Sequence, residues 1–321
     1  MRDNICGIGV IGCGTIGCGW ATFFAMKGLE TRLFDQQPAS LQRAPEKVRQ
    51  NLETLVRLGG LDSAAAEKAM ENLYIGESLE DALDGVSYVQ ESIYEDYDAK
   101  KALFAQLDSI LPEDVIIATS SSGLLMTKIQ EAVTRFPGRC LIGHPINPVF
   151  LVPLVEIVPG KQTDPAAMVA ARAFYEQVGK VPVTLKKEIP GYLENRLTAA
   201  LYREAIDLAI NDVASVEDID KTIWAGPGLR YALMGPLLIY HLGGGEGGTR
   251  YFVGDLLGNA LTQWWEDMNT WTKVPEGAVE ILEKGIDEAT KGKSFEEMCA
   301  WRDKKLVELL RVTDVKNNPC F

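Results

Sequence analysis

The stretch VIGCGTIGCGWA, Val10–Ala21, places glycines at 12, 14, 17 and 19 directly after the apolar run GIGVIG. A run of that length reads as a buried strand, and GWATFFAMKGL behind it has the length of a helix. Glycines at such a junction have separate tasks. Gly12 lets the chain turn tightly out of the strand, Gly14 lets the main chain approach a phosphate, and Gly17 lets the helix lie close to the sheet. The helix start then offers N–H groups and a positive dipole end to an anion. The second strand, TRLFD, ends in Asp35, where a carboxylate accepts ribose hydroxyls. The turn Gly12-Cys13-Gly14-Thr15-Ile16-Gly17 together with Asp35 is therefore expected to hold a dinucleotide. DQQP after that strand has no adjacent arginine for a 2′-phosphate, which favours NAD over NADP.

The rest of the chain extends this beginning. SYVQES, DVIIATSSS, RCLIGHPINP, LVPLVEIVPG and KVPVTL read as further strands, with DAKKALFAQLDSIL and DPAAMVAARAFYEQVG as helices among them. Such alternation predicts an α/β fold, a Rossmann-type doubly wound, mostly parallel sheet covered on both faces. After KEIPGYLENR the strand signal fades, and NRLTAALYREAIDLAIND, VEDIDKTIWAG, PLLIYHL, GDLLGNALTQWWEDM and SFEEMCAWRDKKLVELLRV read as helices. We set the boundary at Ile189, with a nucleotide-binding domain over 1–188 and a smaller all-helical domain over 189–321. The length of 321 residues suits two domains. The net charge of −13 argues against nucleic acid, which selects basic surfaces. Six cysteines (6, 13, 18, 140, 299 and 320) show no paired metal-ligand spacing and read as reduced thiols, so no metal is expected. MRDNICGIGV is too short and glycine-rich for a signal peptide, and no apolar run reaches the roughly 18 residues of a membrane span. A cytoplasmic location is expected.

Oxidising an alcohol needs a base for the hydroxyl proton, and the chain has two histidines. His241, in IYHLGGG, reads as a structural residue. His144, in GHPINP, ends an apolar strand, where open α/β sheets place ligands. Glu156 follows twelve residues later inside the apolar LVPLVEIV, where a carboxylate is costly without a partner. A strand–turn–strand unit would bring it against His144, fixing the tautomer and raising the basicity of the imidazole.

These residues carry a resemblance. GCGTIG, ESIYEDYDAKK, the TSSSGL run, GHPINPVFLVPLVEIV and IPGYLENRL are together similar to the 3-hydroxyacyl-CoA dehydrogenase superfamily, over nearly the whole chain. The resemblance implies an NAD-dependent dehydrogenase, dimeric through the helical domain. It implies His144 as general base, Glu156 as its partner, Ser122 as hydrogen-bond donor to the reacting oxygen, and Asn195 holding substrate or histidine. Asn147 belongs to the same H-x-x-N-P turn, and Glu95, Lys100 and the backbone of Thr15 and Ile16 match cofactor contacts. A non-catalytic, crystallin-like NAD-binding protein would have no need of the His–Glu pair.

Three departures bear on the substrate. The usual S-N-T-S loses its asparagine, the CoA-facing lysines thin to Arg43, Lys47, Arg49 and Arg57 among acids, and GYPMGPFELLD gives way to GLRYALMGPLLIYHLGGGEGG. A CoA tail wants a basic groove, whereas a small carboxylate wants one arginine fork, with Arg230 the candidate. A short beta-hydroxy acid is the expected substrate. GLRYALMGP, GGGEGGTRYF and LTQWWEDM resemble the branch that acts on L-carnitine; the L-gulonate and lambda-crystallin branch shares GLRYA. A trimethylammonium group is recognised by aromatic faces, and Tyr231, Tyr251, Phe252, Trp264, Trp265 and Trp271 concentrate rings in the helical half. Helix packing or a dimer interface is the competing role for those rings, a salt bridge for Arg230, and a solvated loop acid for Glu246.

Overall fold

The computed structural model describes residues 7–313, so Cys6 and Cys320 lie outside the described residues. The chain divides into two compact units, one ending at Asn195 and the next beginning at Arg196.

The first unit is built on one sheet of eight strands: β1 Gly7–Ile11, β2 Glu30–Phe34, β3 Leu73–Ile75, β4 Tyr88–Glu91, β5 Ile116–Thr119, β6 Cys140–Pro145, β7 Leu154–Pro159 and β8 Val181–Thr184. Their order is β3-β2-β1-β4-β5-β6-β7-β8. Neighbours are parallel from β3 to β6 and again between β7 and β8; only β6 and β7 run antiparallel. The strand order reverses between β1 and β4, which opens a crevice at the carboxyl ends of these strands.

Seven helices cover the sheet: α1 Thr15–Met26, α2 Pro38–Arg57, α3 Ser63–Glu71, α4 Leu79–Leu83, α5 Tyr97–Ile110, α6 Met126–Gln130 and α7 Pro165–Val178. Because strand side chains alternate, the sheet feeds two cores. Val10, Ala118, Leu141 and Ile157 meet Trp20, Phe24, Phe174 and Tyr175. Ile11, Ile117, Ile142 and Val158 meet Leu103, Phe104, Leu107 and Ile129. Sequence periodicity does not separate β3 and α4 from their surroundings, since a three-residue edge strand and a five-residue helix each end before a second period is complete.

A polar chain crosses the first core beneath the crevice. Tyr88 donates to the Tyr175 hydroxyl (3.0 Å), which donates to Gln90 Oε1 (2.7 Å). The Gln90 amide donates to Ser120 Oγ (2.8 Å) and to the Gly143 carbonyl (3.2 Å), so the network ends beside His144. Trp20 also donates to Ser120 Oγ (3.1 Å).

The second unit is helical: α8 Glu194–Ile210, which starts at the end of the first unit, then α9 Val216–Trp224, α10 Pro227–Tyr231, α11 Pro236–Gly243, a π-helical stretch Arg250–Leu256, α12 Gly258–Asp267, α13 Ala278–Thr290 and α14 Phe295–Thr313. Gly285 lets α13 approach α9, since a Cβ there would stand 2.3 Å from Val216 Cγ2. Within the single chain, from Arg196 to Thr313, only Gly244, Gly248, Ala278 and Val307 are buried, while Leu237 is 83% exposed and Trp265 64%. No described helix is long and apolar enough to cross a membrane.

Replacing Tyr175 by Phe strips Gln90 Oε1 and the Tyr88 hydroxyl of their partner. Urea unfolding should show a loss of about 1–3 kcal/mol, the cost of leaving buried polar groups unpaired; an unchanged midpoint would show that the network contributes nothing.

Candidate active site

The glycine turn has the geometry its residues require. Gly12 has φ +98°, and a Cβ there would sit 2.6 Å from the Ser92 carbonyl group. At Gly17 a Cβ would stand 1.8 Å from the Gly12 oxygen, so α1 is held against the turn by the absence of a side chain. Gly14 caps α1 without a side-chain hydrogen bond, and no atom lies within 4 Å of where its Cβ would be. The N–H groups of the exposed Thr15 and half-exposed Ile16 thus open the helix toward an unobstructed face. Asp35 lies just past β2, its Oδ2 accepting from Cys13 N (2.7 Å) and its Oδ1 from Gln37 N (2.8 Å). Each oxygen keeps a lone pair for a ribose hydroxyl. An open anion cradle and an anchored acid at the sheet's reversal point fit a dinucleotide.

Beside the turn, a cavity of about 390 Å³ is lined by Gly14, Thr15, Ser40, Arg43 and Lys47, among others. The flanking thiols are inert. Burial, then Lys47 pulling the other way, leaves Cys18 raised to about 11, and burial raises Cys13 still further.

At the other side of the crevice, the antiparallel register of β6 and β7 sets His144 directly opposite Glu156. Nδ1 of His144 lies 2.9 Å from Glu156 Oε2, and the two residues are 4% and 1% exposed. Glu156 Oε1 accepts from the N–H groups of Leu193 (2.9 Å) and Glu194 (3.0 Å), where α8 begins. Burial raises the Glu156 pKa, but the His144 hydrogen bond and the two N–H donors outweigh it, and the net shift is downward. An ionised carboxylate is acceptor-only, so Nδ1 carries the proton and Nε2 holds the free lone pair. Among the described residues no protein group hydrogen-bonds Nε2.

The first turn of α8 also reaches the end of β5. Asn195 Nδ2 donates to the Ser122 carbonyl (2.7 Å). From the opposite side, Glu95 Oε1 accepts from Ser121 Oγ (2.6 Å), Ser122 N (2.8 Å) and Gly123 N (3.1 Å). Ser122 is therefore held through its main chain, and its side chain lies in an exposed residue. Lys100 stands beneath this turn, 1% exposed, with Nζ on Glu91 Oε1 (2.8 Å) and 3.8 Å from Glu95. These acids offset the cost of burying the ammonium, and Lys100 supports the wall of the crevice from inside. Asn147, exposed, precedes Pro148 in the loop after β6.

Two residues at this end escape sequence reasoning. Tyr192, fully buried at φ +51°, meets the His144 ring edge-on at 5.4 Å and donates to the Leu124 carbonyl (2.6 Å). Glu91, fully buried, anchors Lys100 and Ile93 N. Both lie inside the quoted motifs, Glu91 in ESIYEDYDAKK and Tyr192 in IPGYLENRL, but neither residue type nor spacing sets them apart from their neighbours.

In the second unit, Arg230 and Tyr231 lie on α10, exposed. Trp264 and Trp265 are exposed on α12, and Phe252 packs on Tyr240 at 5.6 Å. Trp271 donates to Asp207 (3.1 Å) and is half-buried. His241 closes the glycine loop through Thr249 (3.2 Å), and Glu246 is exposed in that loop. A cavity of about 760 Å³ here is lined by Trp224, Phe295, Met298 and Trp301 among others, and by none of the rings or the arginine that the sequence singled out.

The fold and this crevice define an NAD-dependent dehydrogenase. Residues 7–189 match the 3-hydroxyacyl-CoA dehydrogenase NAD binding domain, and residues 191–287 match the 3-hydroxyacyl-CoA dehydrogenase C-terminal domain. The chain belongs to the 3-hydroxyacyl-CoA dehydrogenase family. It is 40% identical to an L-carnitine dehydrogenase of Streptomyces coelicolor, over 97% of this chain and 96% of that one. It is 38% identical to the L-carnitine dehydrogenase of Streptomyces griseus, over 96% and 88%. Among solved structures, 5-formyl-3-hydroxy-2-methylpyridine 4-carboxylic acid 5-dehydrogenase, an NAD+-dependent dismutase, superposes with a TM-score of 0.80 at 27% identity, covering 97% of this chain and 99% of that one.

The lowered Glu156 pKa has a pH signature. The unfolded chain takes up the proton first as pH falls, so the stabilisation is complete above the ordinary carboxylate pKa and is lost as pH drops through the depressed one. Urea midpoints between about pH 6 and pH 3 should fall less steeply for Glu156→Gln than for the wild type; parallel slopes would mean that Glu156 gains nothing from its partners.

Proposed function

We propose that this enzyme oxidises the hydroxyl of L-carnitine, giving 3-dehydrocarnitine and NADH. The observation that carries the chemistry is the buried His144–Glu156 pair with Nε2 left unpaired. His144 Nε2 takes the hydroxyl proton, and Glu156, ionised and anchored on the start of α8, stabilises the imidazolium that forms. Ser122 donates to the reacting oxygen, its main chain fixed by Glu95 and Asn195. Asn147 lines the substrate side. Bound NAD supplies the hydride acceptor. The turn Gly12-Cys13-Gly14-Thr15-Ile16-Gly17 and Asp35 hold it, with Glu95 and, from beneath, Lys100 completing the wall.

For the substrate, support comes from the names of the relatives and from the chemistry of the helical unit. Arg230 is our choice for the carboxylate, and Tyr231, Phe252, Trp264 and Trp265 for the trimethylammonium group, which aromatic faces attract by on the order of 1–2 kcal/mol per ring. L-gulonate, or another 3-hydroxy acid, is the alternative on the same machinery. We also infer a homodimer: a helical unit that leaves Leu197, Leu237 and Leu242 exposed needs a second apolar surface. The four described cysteines are free thiols, which suits the reducing cytoplasm where we place the enzyme.

NADH absorbance should rise when the protein is mixed with NAD and L-carnitine, more than with L-gulonate or 3-hydroxybutyryl-CoA; a preference for either of these would overturn the substrate. His144→Ala should lower turnover roughly 10²–10⁴-fold and leave NADH binding intact; equal activity would refute the base. Light scattering should return twice the 35.2 kDa chain mass; a stable monomer would refute the dimer.

A further inference from the structure

One buried cation is left over once the site is assembled. Lys180, 3% exposed, lies between α7 and β8, and no carboxylate among the described residues pairs with it. Its ammonium instead donates to the carbonyls of Val149 and Val152, the second at 2.9 Å. It also faces the rings of Phe23 (4.2 Å) and Trp20 (4.9 Å) on α1. Burial, with Lys27 adding repulsion, pulls its pKa down to about 7. A methionine would fill the same space without a charge to desolvate. The fold therefore keeps a costly group where two carbonyls and two ring faces are its only compensation.

Those carbonyls belong to the loop between His144 and Glu156. Leu151 N and Val152 N both donate to the Pro148 carbonyl at 2.9 Å, a single helical turn directly after Asn147. Lys180 caps its far end, as a cation does for any run of aligned carbonyls. On the other side the turn rests on α1. A Cβ at Gly19 would lie 3.0 Å from Val149 Cβ, so the fourth glycine of the opening stretch makes room for this loop rather than for a phosphate. Lys180 thus joins the loop that carries Asn147 to the helix whose first turn forms the dinucleotide cradle.

We propose that Lys180 is a positioning residue for the reaction: it fixes the Asn147–Pro148 turn against α1 and so sets the register between the histidine side of the crevice and the bound cofactor. The proposal rests on the dehydrogenase site described above, and its kinetic arm on L-carnitine as substrate.

Lys180→Met keeps the stem and removes the donors. The folded variant, checked by circular dichroism, should lose about tenfold or more in kcat, the penalty of a small misplacement of reacting groups, while its NADH dissociation constant stays within about threefold of wild type. The two histidines give two imidazole Cε1–H resonances, which His241→Gln assigns. The His144 resonance, sensitive to the Tyr192 ring at 5.4 Å, should move in Lys180→Met, both free and with NADH. An unchanged kcat with an unmoved resonance overturns the proposal, as does a loss of kcat matched by loss of NADH binding, which marks a general structural role. If the wild type does not turn over L-carnitine, the substrate reading fails and the resonance alone decides: movement supports the positioning role and none refutes it. If Lys180→Met does not fold, Gly19→Ala presses on the same loop from α1; lower kcat with NADH binding retained supports the proposal, and unchanged kcat overturns it.

Discussion

Glu156 is a carboxylate taken almost completely out of water, and the catalytic end of the sheet is arranged around satisfying it. Its two oxygens face in different directions, one to His144 Nδ1 and the other to the N–H groups of Leu193 and Glu194. The first contact requires β7 to return antiparallel beside β6, the one departure from parallel pairing between neighbouring strands. The second requires α8 to begin at that point, where its N-terminal dipole favours an anion. The same turn of α8 delivers Asn195 to the Ser122 carbonyl. One buried charge thereby fixes a strand direction, a helix start and an imidazole tautomer.

The cofactor side follows a different logic, in which side chains are removed rather than supplied. Gly12 and Gly17 permit backbone contacts that any Cβ would prevent, and Gly14 leaves the helix start open. Gly19 belongs to neither purpose. It admits Val149, and with it the loop after His144, so that α1 carries the glycine turn at its start and meets this loop further along. A short run of contacts, through α1, Lys180 and the Pro148–Val152 turn, joins the glycine turn to the loop that follows His144.

Much of this was legible in the sequence where a residue violated its surroundings. Glycines crowded between a strand and a helix, Asp35 at a strand end, and His144 and Glu156 in apolar runs all stand out because each costs free energy without a purpose. The strand and helix alternation gave the sheet, the helical second half gave the other unit, and the family followed from the motifs they carry. What stayed hidden depends on distant contacts. Tyr192 acquires meaning only when its ring meets His144, and Lys180 only when α1 and the β6–β7 loop converge on it. β3 and α4 are too short to show a period, whereas α13 is bracketed by Gly277 (φ +78°) and Gly292 (φ +73°), turn signals that were open to reading. The rings of the helical unit are a composition signal without a register. Trp271 is engaged with Asp207, and Phe252 with Tyr240.

The account turns on which imidazole nitrogen is free. Nitrogen-15 spectra of the histidines, with His241→Gln to leave His144 alone, read the tautomer directly. At neutral pH the proton of the uncharged ring should reside on Nδ1, hydrogen-bonded to Glu156, with Nε2 unprotonated. A ring protonated on Nε2 instead, with Nδ1 bare against an ionised carboxylate, would contradict the assignment of His144 as the base.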